Sequence, residues 1–150
     1  MKPSDFLTPD LIRLNLQSST KEEVLKELVW MLDVREEYRP ILLDMVLQRE
    51  ALGSTGLGEC VAIPHGRSLI VNHLHLVCGL SKKGIYFQAV DRKKVHLFFL
   101  VIAPHREVSN QYLPLLGSIA KLASDPENIE RLRNAETPEQ CLEFLEQICS

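Results

Sequence analysis

The chain has 150 residues, 45% of them hydrophobic and 25% charged, and 17 Lys and Arg against 20 Asp and Glu leave a formal net charge of −3. A chain of this length and balance can bury a real core as one domain, residues 1–150, which excludes disorder, low-complexity sequence and a disulfide scaffold. The slight acidic excess argues against nucleic acid as a partner.

Taken in chain order, the start Met-Lys-Pro-Ser-Asp has no apolar leader stretch. Thr20-Lys-Glu-Glu23 then reads as a capping box, in which a hydroxyl and a carboxylate three residues apart satisfy two orphan N–H groups. Val24, Leu25, Leu28, Met31 and Leu32 follow at helical spacing. A second helix is predicted from about Pro40 to about Glu50, with Ile41, Leu42 and Met45 as its apolar positions, stopping before Gly53. Val61-Ala-Ile63, closed by Pro64, is a short strand signal. Leu74, Leu76, Cys78 and Leu80 alternate with His75, Val77 and Gly79, the period-two pattern of a sheet. Residues 95–102 are apolar on both faces and suit a central strand. A helix is predicted after Ser109 or Asn110, carrying Leu113, Leu116, Ala120 and Ala123. Asp125-Pro126 and Thr137-Pro138 each place a cap before a first-turn proline, and Thr137 with Gln140 repeats the capping box. Helices on either side of the strands predict an α/β sheet layered by helices. No apolar run reaches the roughly 20 residues of a spanning helix. The four cysteines, Cys60, Cys78, Cys141 and Cys149, form no C-x-x-C pair. A reduced, cytoplasmic protein without membrane insertion is expected.

The segment that carries chemistry runs from Arg49 to Arg67. Gly53, Gly56 and Gly58 make a loop that can turn sharply and bring N–H groups to an anion, and Ser54 and Thr55 add hydroxyl donors. A short strand then delivers Pro64 and His65, and Gly66 has no side chain to crowd the imidazole. Arg49 and Arg67 are planar cationic forks near either end. Neutral imidazole is a nucleophile near physiological pH, and phosphoryl transfer needs mainly positioning and charge stabilisation. These parts suit a histidine that receives a phosphoryl group and gives it away. Each part alone has a plainer reading, since glycine-rich turns are commoner than anion sites and a lone histidine is more often structural. Gly53 and Gly58 match P-loop spacing, but Glu59 and Cys60 replace its Lys and hydroxyl, which disfavours ATP or GTP.

The reading Arg49-Glu-Ala-Leu-Gly-Ser-Thr-Gly-Leu-Gly58, followed by Val61-Ala-Ile-Pro-His-Gly66, resembles the active-site signature of the type-2 enzyme IIA domains of the bacterial phosphoenolpyruvate-dependent phosphotransferase system. These include the mannitol and fructose IIA domains and the nitrogen-regulatory IIA protein. The likeness extends along nearly the whole chain. It implies a small mixed β-sheet flanked by helices on both faces. It also implies phosphorylation of His65 on Nε2 by the histidine phosphocarrier protein, with Arg49 steadying the phosphoryl group. On this basis the catalytic residue is His65, the phosphate-binding residues are Arg49, Ser54, Thr55, Gly66 and Tyr112, and no metal or cofactor is expected. Tyr112 departs from the pattern. It begins Tyr112-Leu-Pro-Leu-Leu-Gly-Ser-Ile-Ala120 where the family usually carries a second histidine. A phenol donates one hydrogen bond but brings no positive charge. His105, seven residues earlier, is a second candidate for that role. Pro114 is unusual early in a helix.

His73 and His75 are two apart and expected on one face, read as a solvent-facing pair rather than a metal site. His96 is read as a hydrogen-bonded core or edge residue and Cys60 as a packing residue. The functional expectation is a phosphocarrier in a regulatory, nitrogen-type role, because no IIB domain, membrane IIC domain or basic tail is seen in the chain. Its recipients would be regulatory target proteins. The alternatives are a sugar-specific IIA component that passes the group to a IIB domain, and a IIA-fold binding module in which Tyr112 has impaired transfer.

Overall fold

The structure, a computed structural model, describes residues 2–89, 91–106 and 110–149. Ser109, one of the two predicted starts of the third helix, lies outside the described residues.

Helix α1 spans Lys21–Trp30 behind the predicted capping box. The Glu23 N–H donates to Thr20 Oγ1 at 3.2 Å, and the Thr20 N–H donates to the Glu23 carboxylate at 3.1 Å. Helix α2 is Arg39–Ala51, with Pro40 in its first turn, where a missing N–H costs nothing. Its inward stripe is Leu42, Val46 and Glu50, while Ile41, predicted to face the core, is 54% exposed.

Among the described residues, six strands form one mixed sheet. They are β1 (Ile12–Arg13), β2 (Gly56–Gly58), β3 (Val61–Ala62), β4 (His65–Ser68), β5 (His75–Tyr86) and β6 (Lys94–Pro104). The order is β1-β5-β6-β3-β2, with β4 also paired to β6. β5 runs antiparallel to β6, while β3 and β4 run parallel to it. Beyond the sheet lie α3 (Tyr112–Ala123), α4 (Pro126–Arg133) and α5 (Pro138–Ile148), the last two capped by Asp125 and Thr137 as predicted.

β6 is the middle of the molecule. Leu97, Phe99, Val101 and Ala103 pack toward α3, α4 and α5, and Phe98, Leu100 and Ile102 toward α1 and α2. Alternate residues of a strand face opposite sides, so apolar residues at every position mean cover on both. The same holds for β5, whose alternation turns out to separate two buried faces. Val77 is fully buried, and a Cβ on Gly79 would come within 3 Å of the side chains of Leu16 and Leu28. β5 also runs past Leu80 to Tyr86 through a register shift, a continuation that its charged Lys82 and Lys83 concealed.

Helix α3 sits in a different rotation from the predicted one. Tyr112, Leu115, Ile119, Leu122 and Ala123 are buried, whereas Leu113 is 68% exposed and Ala120 is exposed. Pro114 is the third residue of the helix. There an N–H has no intrahelical acceptor, so the proline is tolerated.

Candidate functional site

The site begins with a proline break in a strand. Val61 and Ala62 pair with Leu97 and Phe98, and pairing resumes with His65 opposite Val101 in unchanged register. Pro64 has no N–H to donate, so the ladder is interrupted there, but its carbonyl still accepts from the Val101 N–H at 2.9 Å. His65 is therefore the first residue of β4, anchored from both sides of the break.

The His65 ring is oriented by its own chain. Nδ1 lies 2.6 Å from the Ile63 carbonyl oxygen. A carbonyl can only accept, so Nδ1 carries the proton and Nε2 holds the lone pair. The side chain is half-buried on the face that β6 turns toward α3. Tyr112, the first residue of α3, lies beside it, with ring centroids 6.2 Å apart and planes tilted by 57°. Arg67, two residues on along β4 and so on the same face, lays its guanidinium 4.6 Å from the Tyr112 ring centroid. Its Nη1 donates to the Pro104 carbonyl at 3.3 Å. Arg67 appeared in the sequence as one of two cationic forks. The period-two spacing from His65 was the available signal for its place.

The other candidates occupy less direct positions. Arg49 is in the last turn of α2, and its Nη1 donates to the Gly53 carbonyl at 2.8 Å, tying helix end to loop. The Ser54 hydroxyl donates to the Phe87 carbonyl at 2.8 Å and accepts from the Gly56 N–H at 3.1 Å. Thr55 is buried, and its hydroxyl donates to the Glu50 carboxylate. Both hydroxyls thus hold the loop in place. Gly66 leaves space on the other side of the sheet from the imidazole, since a Cβ there would clash with Met45 Sδ of α2. Adjacent strand residues point to opposite faces, which is why it cannot clear room for its neighbour's ring. The His105 N–H donates to the Ser68 carbonyl at 3.1 Å, which puts that residue at the far end of β4.

Glu50 is the hidden organiser of the loop. It is buried in α2, paired with Lys21 Nζ at 2.8 Å, and it accepts from the Thr55 N–H at 3.2 Å. Lys21 in turn donates to the Phe87 carbonyl at 3.3 Å. On the sheet face toward α1 and α2, His73 and His75 stack with ring centroids 4.2 Å apart. His75 is half-buried rather than solvent-facing. Burial, reinforced by the His73 charge, pushes its imidazole down to about 4. His96 donates from Nδ1 to the Ser81 carbonyl at 2.8 Å, as a structural histidine would. Among the described residues no three metal-ligating side chains gather, and no helix is long and apolar enough to cross a membrane.

A histidine with one nitrogen protonated and the other free, beside an arginine and a tyrosine, is equipped to accept and release a phosphoryl group. The sequence profile of the phosphoenolpyruvate-dependent sugar phosphotransferase system, EIIA 2, matches residues 5–148. The chain is 32% identical over 98% of its length to the fructose-specific EIIABC component of Bacillus subtilis, of which it spans 23%. Its fold superposes on the crystal structure of the nitrogen regulatory protein IIA-Ntr of Neisseria meningitidis with a TM-score of 0.86 and 27% identity, covering 95% of this chain and 97% of that one. It also matches the complex of enzyme IIAMTL and phosphorylated enzyme IIBMTL of Escherichia coli, with a TM-score of 0.77 and 25% identity, over 94% and 97% of the two chains. The mixed sheet between two helical layers, the histidine at the strand break and the match along almost the whole chain make this protein a member of the EIIA type-2 family of that phosphotransferase system.

Proposed function

We propose that this chain is a phosphocarrier that takes a phosphoryl group onto Nε2 of His65 from the histidine phosphocarrier protein and passes it on in a regulatory, nitrogen-type role. The observation that carries the reading is the 2.6 Å contact from His65 Nδ1 to the Ile63 carbonyl. With the proton held at Nδ1, the Nε2 lone pair attacks phosphorus. The bond between phosphorus and the donor's imidazole nitrogen breaks, and the electron pair stays on that nitrogen. In the phosphorylated form the ring keeps its Nδ1 proton, so it carries positive charge and is a good leaving group for the next transfer. Arg49, held at the glycine loop, and Tyr112, beside the imidazole, are the groups we assign to the phosphoryl oxygens. The hydroxyls of Ser54 and Thr55 serve the same end indirectly, by fixing the loop.

The regulatory role is supported by the fold likeness to IIA-Ntr. A sugar-specific role, with transfer to a IIB domain, is favoured by the identity with the fructose EIIABC component. Incubation with phosphoenolpyruvate, enzyme I and the phosphocarrier protein should place one acid-labile phosphate on His65, and His65→Ala should abolish it. Full labelling of that variant would overturn the assignment. Efficient passage of the label to a fructose-type IIB domain would select the sugar-specific role.

A further inference from the structure

A phosphoryl group on His65 brings about two negative charges to a site where the family's second histidine is replaced by a neutral phenol. The structure brings a cation to that phenol ring by another route. His65 and Arg67 are two apart on β4, so their side chains leave the sheet on the same face, toward α3. The Tyr112 ring bridges them, 6.2 Å from the imidazole and 4.6 Å from the guanidinium carbon, centroid distances in each case to the Tyr112 ring. The face of a phenol ring attracts a cation, and a guanidinium also stacks on it. The contact from Arg67 Nη1 to the Pro104 carbonyl fixes the other side of the fork to the end of β6. Arg67 is exposed, on the face of β4 that also carries His65.

From this juxtaposition we infer that Arg67 is a phosphoryl-binding residue, with Tyr112 as the platform that holds its guanidinium beside His65. The inference rests on the phosphocarrier reading and extends it. During transfer the new bond from phosphorus to His65 Nε2 forms as the bond to the donor's imidazole nitrogen breaks, the donor nitrogen keeping the electron pair. Charge spread over the three equatorial oxygens is then met by the planar fork of Arg67, which can donate two parallel hydrogen bonds to them. In this arrangement the positive charge comes from the strand that bears the nucleophile. The family pattern instead brings a histidine on the helix opposite.

The test measures the rate of label transfer from the phosphorylated phosphocarrier protein to four forms: the parent, Arg67→Gln, Arg67→Lys, and Arg67→Gln combined with Tyr112→His. Loss of a charge-assisted bond should slow Arg67→Gln by about ten- to a hundredfold. Arg67→Lys, which keeps the charge without the fork, should fall between the two. Tyr112→His should restore part of the rate lost in Arg67→Gln, and the restoration should fade as pH rises through the range near about 6.5 where an imidazole loses its charge. A rate for Arg67→Gln equal to the parent, with His65 labelled normally, would overturn the role of Arg67 and leave the phosphocarrier reading standing. Equal losses in Arg67→Gln and Arg67→Lys, with no rescue by Tyr112→His, would also overturn it, by showing that the residue only holds β4. A parent that takes no label, beside a known IIA domain that does, would remove the phosphocarrier reading and this inference together.

Discussion

Glu50 shows how a single buried carboxylate organises the loop that precedes His65. Its carboxylate receives Lys21 from α1 and both the N–H and the hydroxyl of Thr55 from the loop, so three segments meet on one group. A buried carboxylate is tolerated because each oxygen has a partner, and removing it leaves those partners unmet. Glu50→Ala should therefore cost about 3 kcal/mol in denaturant unfolding, at the lower end for a buried pair because Lys21 keeps some access to water. It should also slow labelling of His65, because the loop between Gly53 and Gly58 loses its anchor. In the sequence this residue was a letter beside Arg49. Its neighbours Ser54 and Thr55 drew attention as anion donors because hydroxyls next to glycines can serve either purpose. In the structure the two hydroxyls donate to the Phe87 carbonyl and to Glu50.

At the scale of elements, α3 gives the clearest contrast between pattern and packing. Its segment is apolar almost all round, so more than one rotation satisfies a helical period. Of the predicted positions, Ala123 is buried and Leu116 packs partly against the core, while Leu113 and Ala120 face solvent and Tyr112, Leu115 and Ile119 join Val101 of β6 in the core. The winning rotation also brings the Tyr112 ring to His65. Leu115→Ala should destabilise the fold by about 2–4 kcal/mol through a core cavity. Leu113→Ala should change stability by no more than about 0.5 kcal/mol, since that side chain already faces water. Equal effects from the two substitutions would return the helix to the predicted rotation. The strand break at Pro64 belongs at the same scale. Proline marked the end of one strand, but the resumption of pairing at His65 depends on β6 being alongside.

For the molecule as a whole, the His75 imidazole reports folding through its titration. Burial beside His73, partly offset by Asp33, lowers it to about 4, whereas an unfolded histidine titrates near about 6.5. Between those values the unfolded chain binds more protons than the folded one, so stability rises with pH across this window. The contribution of His75 is fully present above the upper value and is lost as pH falls toward the lower. Thermal unfolding should show Tm falling on acidification from about pH 7 to about pH 4. His75→Gln should flatten that fall, and the difference between the two curves isolates His75 from carboxylates that titrate at the lower end. An unchanged difference across the window would show that His75 is as exposed in the fold as out of it.

What the sequence by itself determined was local. The capping box at Thr20 and the caps at Asp125 and Thr137 act within four residues, and the helices begin where these side chains say. The apolar run at 95–102 suited a strand covered on both sides, and the motif from Arg49 to Gly66 carried the family. What the tertiary structure decided was every relation between distant segments. The Ser54 hydroxyl finds an acceptor 33 residues away and Arg67 one 37 residues away. Periodicity says which face of an element is apolar but not which neighbour covers it, and α3, apolar on most sides, left even its rotation open. Those choices fall to the packing of the two helical layers against β6, where complementary shape rather than local propensity sets the energy. They are the choices that set Arg67, Tyr112 and His65 side by side.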